Sequence, residues 1–102
     1  MKRFVIVGNE RYGLYFGETE ASDQEVATSR SIRLSNVRHI CRWHGKTGGI
    51  TSLAAFGPCG PNAHQSLIGA PGPTALLTGI VNVYDCTPEA VAAFGKIEAS
   101  DA

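Results

Sequence analysis

EVATSRSIRLSNVRHICRW, residues 25–43, is the stretch on which the fold turns. Between Glu25 and Leu34, Val26, Thr28, Arg30, Ile32 and Leu34 alternate with Ala27, Ser29, Ser31 and Arg33, which is the period of a β-strand. Ser35 and Asn36 then supply a two-residue hairpin turn, asparagine tolerating the positive φ such turns require. Residues 37–43 return as the partner strand. In this register Arg33 stands opposite Arg38, Ile32 opposite His39, and Thr28 opposite Trp43. Ile32, Leu34, Val37, His39, Cys41 and Trp43 share the face expected to meet the core. Arg33, Arg38 and Arg42 share the other with Ser29, Ser31 and Ile40.

Facing arginines destabilise a strand pair. Three guanidinium groups on one patch either bear that cost in water or share an anion. Their planar forks suit phosphate. The plainer reading is a solvated outer face. Trp43 has two readings as well, a core residue or a surface on which a base stacks.

The ribbon runs into HGKTGG, residues 44–49. GKT ends the phosphate-binding loop of nucleotide hydrolases, but that loop needs a glycine five positions before its Gly-Lys pair. Ile40 stands there, so the motif fails. A more general arrangement survives: a strand, a glycine-rich turn and a helix beginning near Ile50, which together aim backbone N–H groups at an anion. Lys46 adds charge, Thr47, Thr51 and Ser52 add hydroxyls, and Gly48 belongs to the same turn. The alternative is an ordinary turn with a helix start. Arg38, Arg42 and His44 on the preceding strand favour the anion.

Outward from this centre, residues 2–7 form a first apolar strand and residues 12–19 a second, bent at Gly13 or Gly17. Residues 20–24 read as a polar turn. Helices are expected at about 49–57 and 87–95, the second opened by Thr87 as N-cap and Pro88. Residues 64–68 suit an edge strand and residues 75–85 one long strand. The fold class is therefore α+β, a mostly antiparallel curved β-sheet with two short α-helices. Residues 1–96 make one domain and 97–102 a frayed tail.

The chain has 102 residues and a net charge of zero, yet no acidic residue lies between Glu25 and Asp85. The middle is basic and the ends acidic, which bears on partners even though the sum cancels. Twelve glycines and five prolines favour a β-rich fold over a helical bundle. No apolar run approaches the roughly 20 residues of a membrane span, so a cytoplasmic protein is expected. Cys41, Cys59 and Cys86 are odd in number and unpaired in spacing, which fits reduced thiols. Cys59, His64 and Cys86 as metal ligands are disfavoured, and no metal or cofactor is expected. Catalysis is disfavoured too, because no central carboxylate can act as base. A histidine-based phosphodiesterase using His44 and His64 is the residual enzymatic reading.

Leu34, Asn36, Arg38, Ile40, Trp43 and Gly45, then Leu53, Ala54 and Gly57, then Cys86, Thr87 and Ala90 compose L-x-N-x-R-x-I-x-x-W-x-G, LA-x-x-G and C-T-x-x-A. Over roughly residues 12–94 this resembles a group of small uncharacterised phage accessory proteins. By type, such proteins are similar to the sponges with which phages counter Thoeris and CBASS immunity, among them the Sequestin and Lockin families. That likeness implies an oligomer that sequesters a cyclic nucleotide or ADP-ribose derivative in the host bacterial cytoplasm without cleaving it. The expected ligand site comprises Arg33, Arg38, Arg42, Trp43, His44, Lys46, Thr47 and Gly48. A pocket between subunits is expected, since so small a chain builds one most easily in a homo-oligomer. The alternatives are a structural or protein-inhibiting accessory protein and a small nucleic-acid-binding module, the latter disfavoured by neutral net charge.

Overall fold

The computed structural model describes residues 2–10, 13–45 and 49–99. Among them the elements in chain order are β1 (Arg3–Asn9), β2 (Gly13–Thr19), α1 (Asp23–Ser29), β3 (Ser31–Arg42), α2 (Ile50–Phe56), β4 (Leu67–Ile68), β5 (Ala75–Thr78), β6 (Ile80–Asp85) and α3 (Pro88–Gly95). The strands form one antiparallel sheet in the order β4-β3-β2-β1-β6, with β5 paired to the start of β3. The class is α+β with a curved sheet, as expected. No helix of the described residues is long and apolar enough to cross a membrane.

The hairpin expected in residues 25–43 does not exist. Residues 25–29 of its first half belong to α1, while residues 31–34 are strand as expected. Ser22 caps that helix: its Oγ accepts from the Glu25 N–H, and the Ser22 N–H donates to Glu25 Oε1, both at 3.1 Å. This reciprocal pair satisfies two N–H groups that a helix start otherwise leaves open. Arg30 ends the helix in the left-handed region at φ 54°, its N–H donating to Val26 O. Of the seven residues only Val26 is buried. The alternation read there as a strand was coincidental, since one buried position fixes no period. Residues 20–24, read as a turn, hold the cap instead.

The second half and the supposed turn form a single strand, so Arg33 and Arg38 are not cross-strand neighbours. Asn36 does adopt positive φ, at 52°, but within β3. Opposite it, Phe16 pairs with Arg38 and Glu18 with Ser35, so two steps along β2 match three along β3. The extra residue is a β-bulge. It shifts side-chain parity. Ile32, Leu34 and Ile40 are all even-numbered and a regular strand would send them to one face. Instead Ile32 and Leu34 pack with Val5, Val7, Val26 and Ile80, while Ile40 packs with Ile6, Phe16, Leu53, Ala54, Ile68 and Phe94. One strand thereby serves a core on each face of the sheet. Gly17 of β2 lies against the bulge, where a Cβ would come within 3.1 Å of both Leu34 Cβ and Ser35 O.

The first of these cores lies under α1, the second under α2 and α3. In the second, Phe94 stacks on Phe16 at 4.1 Å between ring centroids, and Phe16 on Phe4 at 5.8 Å. Thr87 caps α3 as expected, its Oγ1 accepting from the Ala90 N–H at 3.1 Å. Gly57 ends α2 at φ 71°, and a Cβ there would lie 2.7 Å from Ala93 Cβ. Only glycine lets the two helices meet that closely.

The strand expected over residues 75–85 is divided at Gly79, φ 65°. β5 lies on β3 and β6 on β1, so the sheet curls until the two meet. The Ile80 N–H donates to Arg30 O at 3.0 Å across the junction. Residues 69–72 keep to the margin of β3, Gly69 and Gly72 donating to His39 O and Val37 O at 2.9 and 2.8 Å. The expected edge strand over residues 64–68 is reduced to β4, preceded by one turn of 3-10 helix at Ala63–Gln65.

Candidate functional site

The bulge sets where the arginines go. Arg33 precedes it and Arg38 follows it, which leaves both on the α2/α3 side of β3 although their neighbours differ, while Arg42 lies beyond a second register shift, between Ile40 and Arg42. At about 3.3 Å per residue, the nine steps from Arg33 to Arg42 span roughly 30 Å. They do not converge on one small ligand.

Arg38 is buried, at 6% exposure. Its Nε donates to Gly69 O at 2.7 Å, Nη1 to Phe94 O at 2.8 Å and Nη2 to Ile97 O at 3.0 Å. A guanidinium holding three main-chain carbonyls is a structural clamp, and its burial keeps the remaining N–H groups from an anion in solution. Burial also pulls its pKa below the ordinary arginine value. The sequence reading of Arg38 as a ligand residue is thus redirected to folding, because the bulge turns it inward among the ends of α3 and β4. Ile97, assigned to the tail, supplies one of those carbonyls and packs against the core.

Arg33 is exposed beside Lys2, Glu18, Glu20, Glu25 and Ser35, around a depression of about 270 Å³. Three carboxylates there make it a poor anion site. Arg42 is exposed at the end of β3, opposite Leu67 of β4. Trp43 is half-buried against the Phe16–Phe94 core. His44 is half-buried, its main chain fixed by Ser66 Oγ at 2.9 Å and by the Cys59 N–H at 3.0 Å. Lys46, Thr47 and Gly48 lie outside the described residues. What remains together is Arg42, Trp43 and His44, leading toward Gly49 at the start of α2.

The acidic ends do neutralise basic residues, though mostly those at the N-terminus. Arg3 Nη1 pairs with Asp23 at 2.9 Å and Asp85 at 2.8 Å. Arg30 pairs with Glu10 at 2.9 Å and Lys2 with Glu18 at 3.6 Å. Among the described residues Arg33 and Arg42 have no such ion pair. Arg33 is the one of the two whose surroundings are lined by carboxylates.

His39 and Cys41, expected to face the core, are exposed on the α1 side of β3. The His39 ring lies 5.0 Å from that of Tyr15, and Cys41 Sγ is 3.2 Å from His39 Nδ1. Cys86 is half-buried behind β1; burial first, and the Asp85 charge second, push its thiol up to about 12. Among the described residues no three histidine, cysteine or acidic side chains gather as a metal site.

Sequence reasoning missed the apolar relief beside α3. Phe4, Cys86, Pro88 and Val91, rimmed by Arg3 and Asp85, border a depression of about 660 Å³. On the other side of Phe4 and Val91 a second one, about 200 Å³, reaches Phe16, Pro71 and Phe94. The only hint in the sequence was an aromatic-rich β1–β2 pair, whose one face is too wide for a single short helix to cover.

Residues 2–94 match the model of a domain of unknown function (DUF6948), so the chain belongs to that family. No curated protein and no solved structure matches.

Proposed function

We propose that this member of the DUF6948 family is a non-catalytic binding protein, phage-encoded and active in the host cytoplasm, that sequesters a small anionic nucleotide signal. The site is the far end of β3, with Arg42 gripping phosphate, Trp43 offering an apolar flank and His44 a second donor. Lys46, Thr47 and Gly48 follow directly in sequence. Arg33 and Arg38 are left out. The observation that carries the reading is Arg42 itself, an exposed guanidinium with no carboxylate partner among the described residues, where Lys2, Arg3 and Arg30 are paired with acids.

Calorimetry tests it. Cyclic dinucleotides and ADP-ribose isomers are titrated into the wild-type chain and into Arg42→Ala. Saturable binding to one ligand, unchanged ligand on recovery, and loss in the variant support the reading. Equal, weak heats for every nucleotide, or binding that Arg42→Ala leaves intact, refute it.

A second reading rests on the apolar depression beside Phe4 and Val91. Contiguous exposed apolar relief with a polar rim suits a protein partner, and an accessory protein that docks on and inhibits a host protein would use it. Val91→Glu, on that surface, abolishes such docking and leaves nucleotide binding untouched.

A further inference from the structure

A nucleophile and a base touch on the α1 side of β3, outside the site proposed above. Cys41 Sγ lies 3.2 Å from His39 Nδ1, within hydrogen-bond reach for sulfur, and both residues are exposed. Two residues apart on one strand, they stand on the same face. Tyr15, paired with His39 from β2, sets its ring 5.0 Å from the imidazole at a tilt of 34°. The register Leu14↔Ile40 brings the next residue of β2, Gly13, beside Cys41, and a Cβ there would meet nothing within 4 Å. A group attached to the sulfur therefore has room.

Other charges around the pair are few among the described residues. β2 brings Tyr15, β4 brings only Leu67 and Ile68, and Arg42 follows on β3 itself. Glu10 borders a depression with Tyr15 but is held by Arg30 at 2.9 Å. The imidazole is thus the group placed to exchange a proton with the thiol. Two donors do not hold a metal, and no third histidine, cysteine or acid joins them among the described residues. Acyl transfer would need a cleft and donors aimed at an oxyanion, and Cys41 borders none of the depressions described above. Thiol–disulfide exchange asks for less: an accessible thiolate and somewhere for its proton to go.

We propose that Cys41 and His39 form a thiol–disulfide exchange site, at which the protein takes up a small disulfide of the glutathione type as a mixed disulfide on Cys41. His39 accepts the thiol proton while Cys41 Sγ attacks one sulfur of the incoming disulfide. The new S–S bond forms as the old one breaks, and the departing thiolate takes the proton back from the imidazolium. One disulfide replaces another, so no further oxidant is consumed. The site owes nothing to the nucleotide reading and stands without it.

The full-length chain is incubated with glutathione disulfide over a range of pH, and the adduct is located and timed by peptide mass. Cys41 is modified first, with Cys86, its thiol pushed up to about 12, as the unreactive control in the same chain. His39→Gln, an exposed substitution that keeps the wild-type circular dichroism, slows the Cys41 reaction by roughly tenfold or more at about pH 7, the scale of a positioned base. The two rates converge at about pH 9.5, where a thiol ionises unaided. Equal rates for wild type and His39→Gln at every pH overturn the proposal. So does a deficit in His39→Gln that stays constant with pH, which marks a purely structural role, or an adduct that appears on Cys59 or Cys86 before Cys41.

Discussion

Arg38 Nη1 donates to the carbonyl of Phe94 at 2.8 Å, tying the middle of β3 to the last turn of α3 across 56 residues of chain. A cation at a helix C-terminus meets carbonyls that have no partner within the helix. With Gly69 O and Ile97 O bound as well, the same side chain holds β3, the segment after β4 and the chain leaving α3. Arg38→Ala takes a donor from three carbonyls, of which Phe94 O keeps the Ile97 N–H at 3.2 Å, and should cost on the order of 2–3 kcal/mol, since each group left unsatisfied costs about 1–3 kcal/mol. Arg38→Lys recovers only part, because an ammonium cannot span the fork. Urea denaturation measures both, and an unchanged midpoint for Arg38→Ala would remove the clamp from the argument.

The bulge gives a sharper expectation. Asn36 holds φ 52°, so Asn36→Gly leaves stability nearly unchanged, whereas Asn36→Val should cost about 1–2 kcal/mol. Gly17→Ala presses on Leu34 and Ser35 and should cost about 1–3 kcal/mol. Deleting Asn36 restores regular alternation and swings Arg38 and Ile40 to the wrong face. That variant should fail to fold, and a cooperative thermal transition from it would contradict the two-face account.

Ser22 and Glu25 make α1 sensitive to acid. The Ser22 main-chain N–H, and then its hydroxyl, hold the Glu25 carboxyl below the ordinary 4.5. A depressed folded-state pKa means that the contribution is present above 4.5 and is lost as the pH falls through the lower, folded value. Glu25→Gln therefore flattens the acid limb of a stability–pH curve. Ser22→Ala should cost about 1 kcal/mol at neutral pH.

The thiols should react in a fixed order. Cys41 is exposed with an imidazole nitrogen 3.2 Å away, while the Cys86 thiol, pushed up to about 12, is almost wholly protonated at neutral pH. Thiolate is the reactive form. Limited treatment with a disulfide reagent, read by peptide mass, should modify Cys41 well before Cys86. Equal rates would show that the burial of Cys86 is not maintained in solution.

Several elements were legible from local chemistry alone. Thr87 and Pro88 announced α3, Gly57 the end of α2, and the continuous apolar run from Phe4 to Val7 β1. These signals lie within a few residues of what they specify. Residues 25–43 were misread because two local cues competed. Ser22 and Glu25 make a capping box, but an accidental alternation downstream spoke more loudly, and Asn36 was given to a turn rather than a bulge. The site suffered for it. A hairpin would have gathered Arg33, Arg38 and Arg42, and a bulged single strand spreads them out.

Sequence by itself determined the class of fold, the start of α3, the end of α2 and the separation of basic middle from acidic termini, since each follows from residue type and near-neighbour spacing. Tertiary structure alone decided that Arg38 is a clamp, that Arg42 has no carboxylate partner among the described residues, and that β3 serves a core on each face of the sheet. Those outcomes depend on which carbonyls, carboxylates and strands arrive from dozens of residues away, and parity across one bulge selects them.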